Sequence, residues 1–249
     1  MDTLALLRKY KLNFSFDILF ALPSQTLEGL TNDVEIAMQQ GAKHLSPYCL
    51  TVPESHPLAK GRPLEDEQVA MFDAISDQLT AHGYNQYEIS NFSQPGFESR
   101  HNILYWTDEE YWGLGLSAHS YSKSTPWGLR FWNPSNINDY QNFILSGEGR
   151  LHTSPAVDMP ADQREILLKN QSLTDFCHTS MRLMRGLDPS ALAAKFSENT
   201  ASRVLKIMDH LQKHGWVEVN ELGHFALTKE GLILSNQIFA QLTFLEDEI

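Results

Sequence analysis

The sequence predicts an α/β chain that ends in a small, mainly helical domain. Three observations predict it. Residues 13–51 place an amphipathic segment between two apolar, bulky runs, which is the order strand, helix, strand. Residues 65–82 form a second amphipathic segment, followed by an alternating run at 84–89. From about residue 160 the pattern changes to helices that enclose one short hairpin.

Leu4, Leu6 and Leu7 give residues 2–11 a short helix. The run 13–20 suits a buried strand, and Leu22-Pro23-Ser24 ends it. Ser24 or Thr26 can cap the next helix, with Glu28 in its first turn and Gly41 as its stop. Residues 44–51 supply a second strand, parallel to the first. Three prolines make 53–64 a loop. Val69, Phe72, Ile75 and Leu79 share one face of the helix 65–82, and Gly83 ends it. Residues 91–110 and 122–140 read as loops around a glycine-rich strand at 112–117. The tail reads as a helix over 161–185, a cap at Asp188 or Ser190, and helices at 190–196 and 200–214. A hairpin over 216–228 and a last helix over 229–245 follow. Helix, helix, hairpin, helix is the pattern of a winged helix. The expected domains are 1–150 and 160–249, with 147–160 as the linker.

Composition narrows the function. The net charge is −12, from 31 acidic and 19 basic side chains, which opposes binding to nucleic acid. The helix 200–214 offers Arg203, Lys206 and Lys213 against Asp209, too little for a recognition helix. No apolar run is long enough to span a membrane and no secretory signal opens the chain, so the expected location is the cytoplasm. Cys49 and Cys177 are the only cysteines, which excludes a disulfide framework. A four-iron cluster needs at least three clustered thiolates, so this chain alone cannot ligate one.

The α/β region is short of neighbours. Two parallel strands and two further strands make a small sheet, and the first strand comes close to Met1 with nothing before it to cover its edge. The expectation is the later part of a larger barrel, either truncated or paired with another chain.

Five blocks, in order, carry a resemblance to a known family: FDILFALPSQTLE (16–28), HLSPYCLTVPE (44–54), GYNQYEISNFSQPGFESRHNILYW (83–106), YWGLGLSAHSY (111–121) and MRLMRGLD (181–188). They resemble the radical S-adenosylmethionine proteins of the oxygen-independent coproporphyrinogen III oxidase family. The HNxxYW motif, here 101–106, points to the HemW-like haem-chaperone branch. The resemblance implies a partial (β/α) radical S-adenosylmethionine barrel followed by the winged-helix-like C-terminal domain of HemN-type proteins. The family's CxxxCxxC loop and the glycine-rich segment after it have no counterpart here, so the resemblance implies an N-terminally truncated member. Where the family has two glycines at the end of its first matching strand, this chain has Ala21 and Ser24.

The resemblance also implies sites. His101 would contact haem and ligate its iron, with Phe97, Tyr105, Trp106 and Trp112 packing on the porphyrin; the residues alone favour instead a hydrogen-bonding histidine of a polar loop. Asp17, Thr51 and His119 match positions that line the S-adenosylmethionine pocket. A carboxylate in the strand of Asp17 is costly unless paired, and His119 also reads as an interior histidine. Other features read blandly. Asp108-Glu109-Glu110 is a solvated charge run, Gly113-Leu114-Gly115 is no dinucleotide fingerprint, and His210 and His214 lack a third metal ligand. Three functions follow: haem binding and delivery to a recipient protein, a fragment of coproporphyrinogen III dehydrogenase, or an inactive split product that needs a complementary N-terminal half. The first is favoured by HNxxYW, and radical chemistry by this chain alone is not expected.

Overall fold

A computed structural model describes residues 3–146 and 160–246. The expected linker therefore lies almost wholly outside the described residues. The chain divides into two compact units, Met1–Ser99 and Arg100–Ile249.

The first unit opens with helix α1 (Thr3–Lys9), then β1 (Ser15–Phe20), α2 (Leu27–Gln39) and β2 (His44–Cys49). β1 and β2 are parallel, with Phe16 opposite Leu45, Asp17 opposite Ser46 and Leu19 opposite Tyr48. Helix α2 starts where expected: Thr26 Oγ1 accepts from Gly29 N at 3.1 Å. It ends at Gly41, whose φ of +88° suits glycine. Helix α3 (Glu65–Ala81) leads to β3 (Asn85–Glu88) and β4 (Asn91–Ser93), giving the sheet order β1-β2-β4-β3. β4 is antiparallel to both of its neighbours. It falls inside the expected loop 91–110; three residues are too few to show a period, and their pairing with His44 and Leu45 is remote in sequence.

One face of this sheet is the core. Phe20, Leu45 and Phe92 meet Leu30 and Val34 of α2 and Met71, Ile75 and Leu79 of α3, all buried. Each such side chain contributes about 1.5–3 kcal/mol. The buried stripe of α3 runs through Met71 in place of the expected Val69. The other face is polar or open. His44, Ser46, Glu88 and Ser93 are buried there, and His44 Nε2 meets Tyr87 Oη at 2.8 Å. Glu88 accepts from Ser90 N and Asn91 Nδ2. β1 is covered on one face only: Ser15, Asp17 and Leu19 are exposed. The expected burial of this strand on both faces is thus corrected, and Asp17 carries no desolvation cost.

The turn after β1 holds Ala21 at φ +59° and Ser24 at φ +61°. The resemblance places glycine at these two positions, and a left-handed backbone is one that glycine adopts without steric cost.

The second unit contains α4 (Arg100–Trp106), β5 (His119–Ser122), β6 (Leu129–Trp132), α5 (Ile137–Ser146) and β7 (Arg164–Ile166). Its helical part follows as α6 (Lys169–Arg182), α7 (Pro189–Phe196), α8 (Glu198–Lys213), the hairpin β8 (Val217–Val219) and β9 (Phe225–Leu227), α9 (Lys229–Ile233) and α10 (Ser235–Gln241). The winged-helix order is present. Asp188 caps α7 by accepting from Ser190 N at 2.8 Å. Gly186, in the block MRLMRGLD, has φ +75°, and a Cβ there would lie 2.2 Å from Phe225 O.

Several expectations are corrected. His101 lies on α4, not in a loop. Residues 112–117 are not a strand: Asn133 Nδ2 donates to the carbonyls of Gly113 and Gly115, and the strand begins at His119. β6 and the first turn of α5 fall within the expected loop 122–140. The expected helix 161–185 is α-helical only over α6, with a 3₁₀ turn at Ala161–Gln163, because Arg164–Ile166 pairs antiparallel with β6. That pairing places strands from both sides of the expected linker in one sheet. The last helix breaks at Leu234 into α9 and α10.

Two outcomes are expected. Ser24 is exposed, so Ser24→Gly relieves its backbone and raises stability by about 1 kcal/mol in a denaturant melt. Burial lowers the pKa of His44 from its ordinary 6.5, with Asp17 and Glu98 opposing. The unfolded chain therefore takes up a proton at higher pH than the fold, and stability falls as pH drops below about 6.5. Melts at about pH 7.5 and about pH 5.5 should show a smaller loss for His44→Gln.

Candidate functional site

The site is built on α4 in the second unit. His101 and Tyr105 are four residues apart, so they share a helix face. His101 is exposed, and its Nε2 shares a 2.9 Å hydrogen bond with Tyr105 Oη. The two rings meet edge-on at 4.8 Å. Tyr105 in turn packs edge-on against Tyr111 at 4.3 Å, and Tyr111 forms a two-bond antiparallel bridge with Tyr121. Tyr121 Oη donates to Asp108 Oδ1 at 2.8 Å, and Lys195 Nζ donates to Asp108 Oδ2 at 2.6 Å. Burial, then the bond to Asp108, pushes the Tyr121 phenol up, so it stays a donor.

The charge run beside this ladder, expected to be solvated, is therefore solvated only in part. Asp108 is paired with Lys195, both side chains being only 20% exposed. Glu110 accepts from Lys123 N at 2.6 Å and Ser122 Oγ at 2.9 Å, and these two bonds lower its pKa. Arg130 bonds Glu165 and Asp175. Arg130, Asp175 and Asp108, with Tyr105, Tyr111 and Ser172, line a cavity of about 100 Å³.

Of the aromatic side chains expected around His101, Tyr105 is in contact with it. Trp112 and Leu104 are exposed, at 44% and 37%, and present apolar surface. Trp106 is engaged elsewhere: the Arg182 guanidinium lies 4.4 Å from its ring centroid. Phe97 belongs to the first unit.

The other candidate positions are divided between the units, Asp17 and Thr51 in the first and His119 in the second. Asp17 is exposed on β1, and Thr51 is exposed just after β2, its hydroxyl donating to Cys49 O at 3.4 Å. His119 is in the second unit, where its ring lies 5.6 Å from that of Trp132 and lines a polar cavity of about 570 Å³ with Asp139 and Asp162. The rings of His210 and His214 are 4.4 Å apart, but no group of three or more potential metal ligands occurs among the described residues. Cys49 lies in the first unit and Cys177 in the second. Two separate thiols do not fit a four-iron cluster, so no step through one is assigned to this chain.

Comparison with known proteins gives the class first. The solved structure of coproporphyrinogen III oxidase (HemN) from Escherichia coli, a radical SAM enzyme, matches 96% of this chain and 58% of its own with a TM-score of 0.70 at 19% identity. The fold is thus part of a radical SAM barrel of the HemN type followed by the C-terminal domain. In sequence the chain is HemW-like. It is 39% identical over 245 residues to the haem chaperone HemW of Lactococcus lactis and 30% identical over 234 residues to that of Bacillus subtilis. These alignments take in 95% and 91% of this chain, but only 59% and 58% of the relatives. No protein-family model matches the chain.

Thiol titration checks the cysteine reading. Cys177 is fully buried, and burial pushes its thiol pKa up; burial also raises that of half-buried Cys49, with Arg62 opposing. The native chain should react at Cys49 alone, and Cys177 only in denaturant, as followed by alkylation and mass spectrometry.

Proposed function

We propose that the chain serves in haem binding and delivery, the activity that names its HemW relatives. The observation that supports this best is the α4 surface. It presents an exposed imidazole at His101 with the exposed apolar side chain of Leu104 three residues on along the same helix, and a haem needs an axial ligand and an apolar bed. In this reading haem is cargo, and His101 is its iron ligand. A haem-recipient protein is the partner, and the cytoplasm is the location. Among the described residues no helix is long and apolar enough to cross a membrane.

Radical chemistry has a different status in the proposal. Asp17, Thr51 and His119 would face S-adenosylmethionine only in an assembly that also supplies the cluster thiolates, as from a complementary N-terminal half. The reading as a coproporphyrinogen III dehydrogenase fragment rests on fold alone, at 19% identity.

Haem titration of the 249-residue chain, followed by the Soret band, tests the reading. His101→Ala should weaken binding by about tenfold or more, equivalent to about 1.4 kcal/mol. An unchanged titration curve would remove His101 from the site.

A further inference from the structure

We propose that Tyr105 is a positioning residue for haem release, whose hydroxyl takes back His101 Nε2 as the iron leaves it. The inference rests on the haem reading above. The Oη–Nε2 bond of 2.9 Å already occupies the imidazole nitrogen that stands farthest from the backbone. That nitrogen is the one a flat macrocycle reaches most easily, because Nδ1 is flanked by its own Cβ. A nitrogen that ligates iron presents its lone pair to the metal, so it cannot keep the bond to Tyr105 at the same time.

Tyr105 does not swing away when the bond breaks. Its ring stays wedged at 4.3 Å against Tyr111, which is bridged to Tyr121, and Tyr121 is bound to Asp108. The phenol is therefore always within reach of His101. With the imidazole proton on Nδ1, the phenol donates to the Nε2 lone pair; ligation breaks that hydrogen bond and gives the lone pair to iron, and dissociation reverses both, with no electron transferred and the protons kept on Nδ1 and Oη. Because the haem-free state regains a bond, the chain holds its cargo less tightly than a bare histidine would. For a protein that hands haem on, this favours transfer.

Tyr105→Phe removes the hydroxyl and keeps the ring against Tyr111. Haem transfer from the loaded chain to excess apomyoglobin, followed by stopped flow, should slow by about threefold to tenfold. The Soret band and the melting curve should match those of the parent chain, which a merely structural role for Tyr105 would not combine with slower transfer. Equal or faster transfer overturns the proposal. So does a changed Soret band or loss of binding in Tyr105→Phe, which would make the phenol itself an iron ligand. Failure of the underlying reading is distinct: there, His101→Ala binds haem like the parent chain.

Discussion

The parallel pair β1–β2 carries its largest apolar side chains on one face. Phe16, Ile18 and Phe20 alternate with Ser15, Asp17 and Leu19, and a strand cannot turn one set inward without turning the other outward. The covered face requires α2 and α3, whose buried residues Leu30, Val34, Ile75 and Leu79 fill the space above it. The remaining face holds hydrogen-bonded polar groups, His44 with Tyr87 and Glu88 with Ser90 and Asn91, and leaves Leu19 and Tyr48 exposed. The turn that leaves β1 is held in the left-handed region at Ala21 and Ser24 because the chain must reverse into α2 within a few residues.

In the second unit the ordering element is a line of tyrosines. Tyr105, Tyr111 and Tyr121 pass from an exposed helix to a buried strand, and the last is bonded to Asp108 and, through it, to Lys195 of α7. An exposed histidine on a short helix is ordinarily mobile among rotamers. Here His101 is tied to a side chain that is itself anchored, so a surface residue acquires a defined orientation. The helical part of this unit contributes to that anchor through Lys195.

Much of this was legible in the sequence where the cause is local. The start of α2 at Thr26, the cap at Asp188 and the helix-ending glycines Gly41, Gly83 and Gly215 all follow from groups within a few residues of each other. The winged-helix order was legible for the same reason. The short strands were not. Asn91–Ser93, Leu129–Trp132 and Arg164–Ile166 are three or four residues long, and each is a strand only because a distant segment offers its backbone. The motif at 101–106 was visible, and the spacing of His101 and Tyr105 would have shown their contact had the segment been read as helix. The engagement of Trp106 by Arg182 had no signal in the sequence, because the partner comes from a helix far along the chain.

By itself the sequence determined which of the longer segments are amphipathic, where α2 and α7 are capped, that two cysteines cannot make a cluster site, and which family pattern the blocks follow. Those properties depend on residue type and near-neighbour spacing. The tertiary structure decided which face of β1 is covered, that Asp17 meets solvent, that strands from both sides of residues 147–159 share one sheet, and that Asp108 is an anchor and not a solvated charge. Those properties depend on hydrogen bonds and burial between segments that only folding brings together.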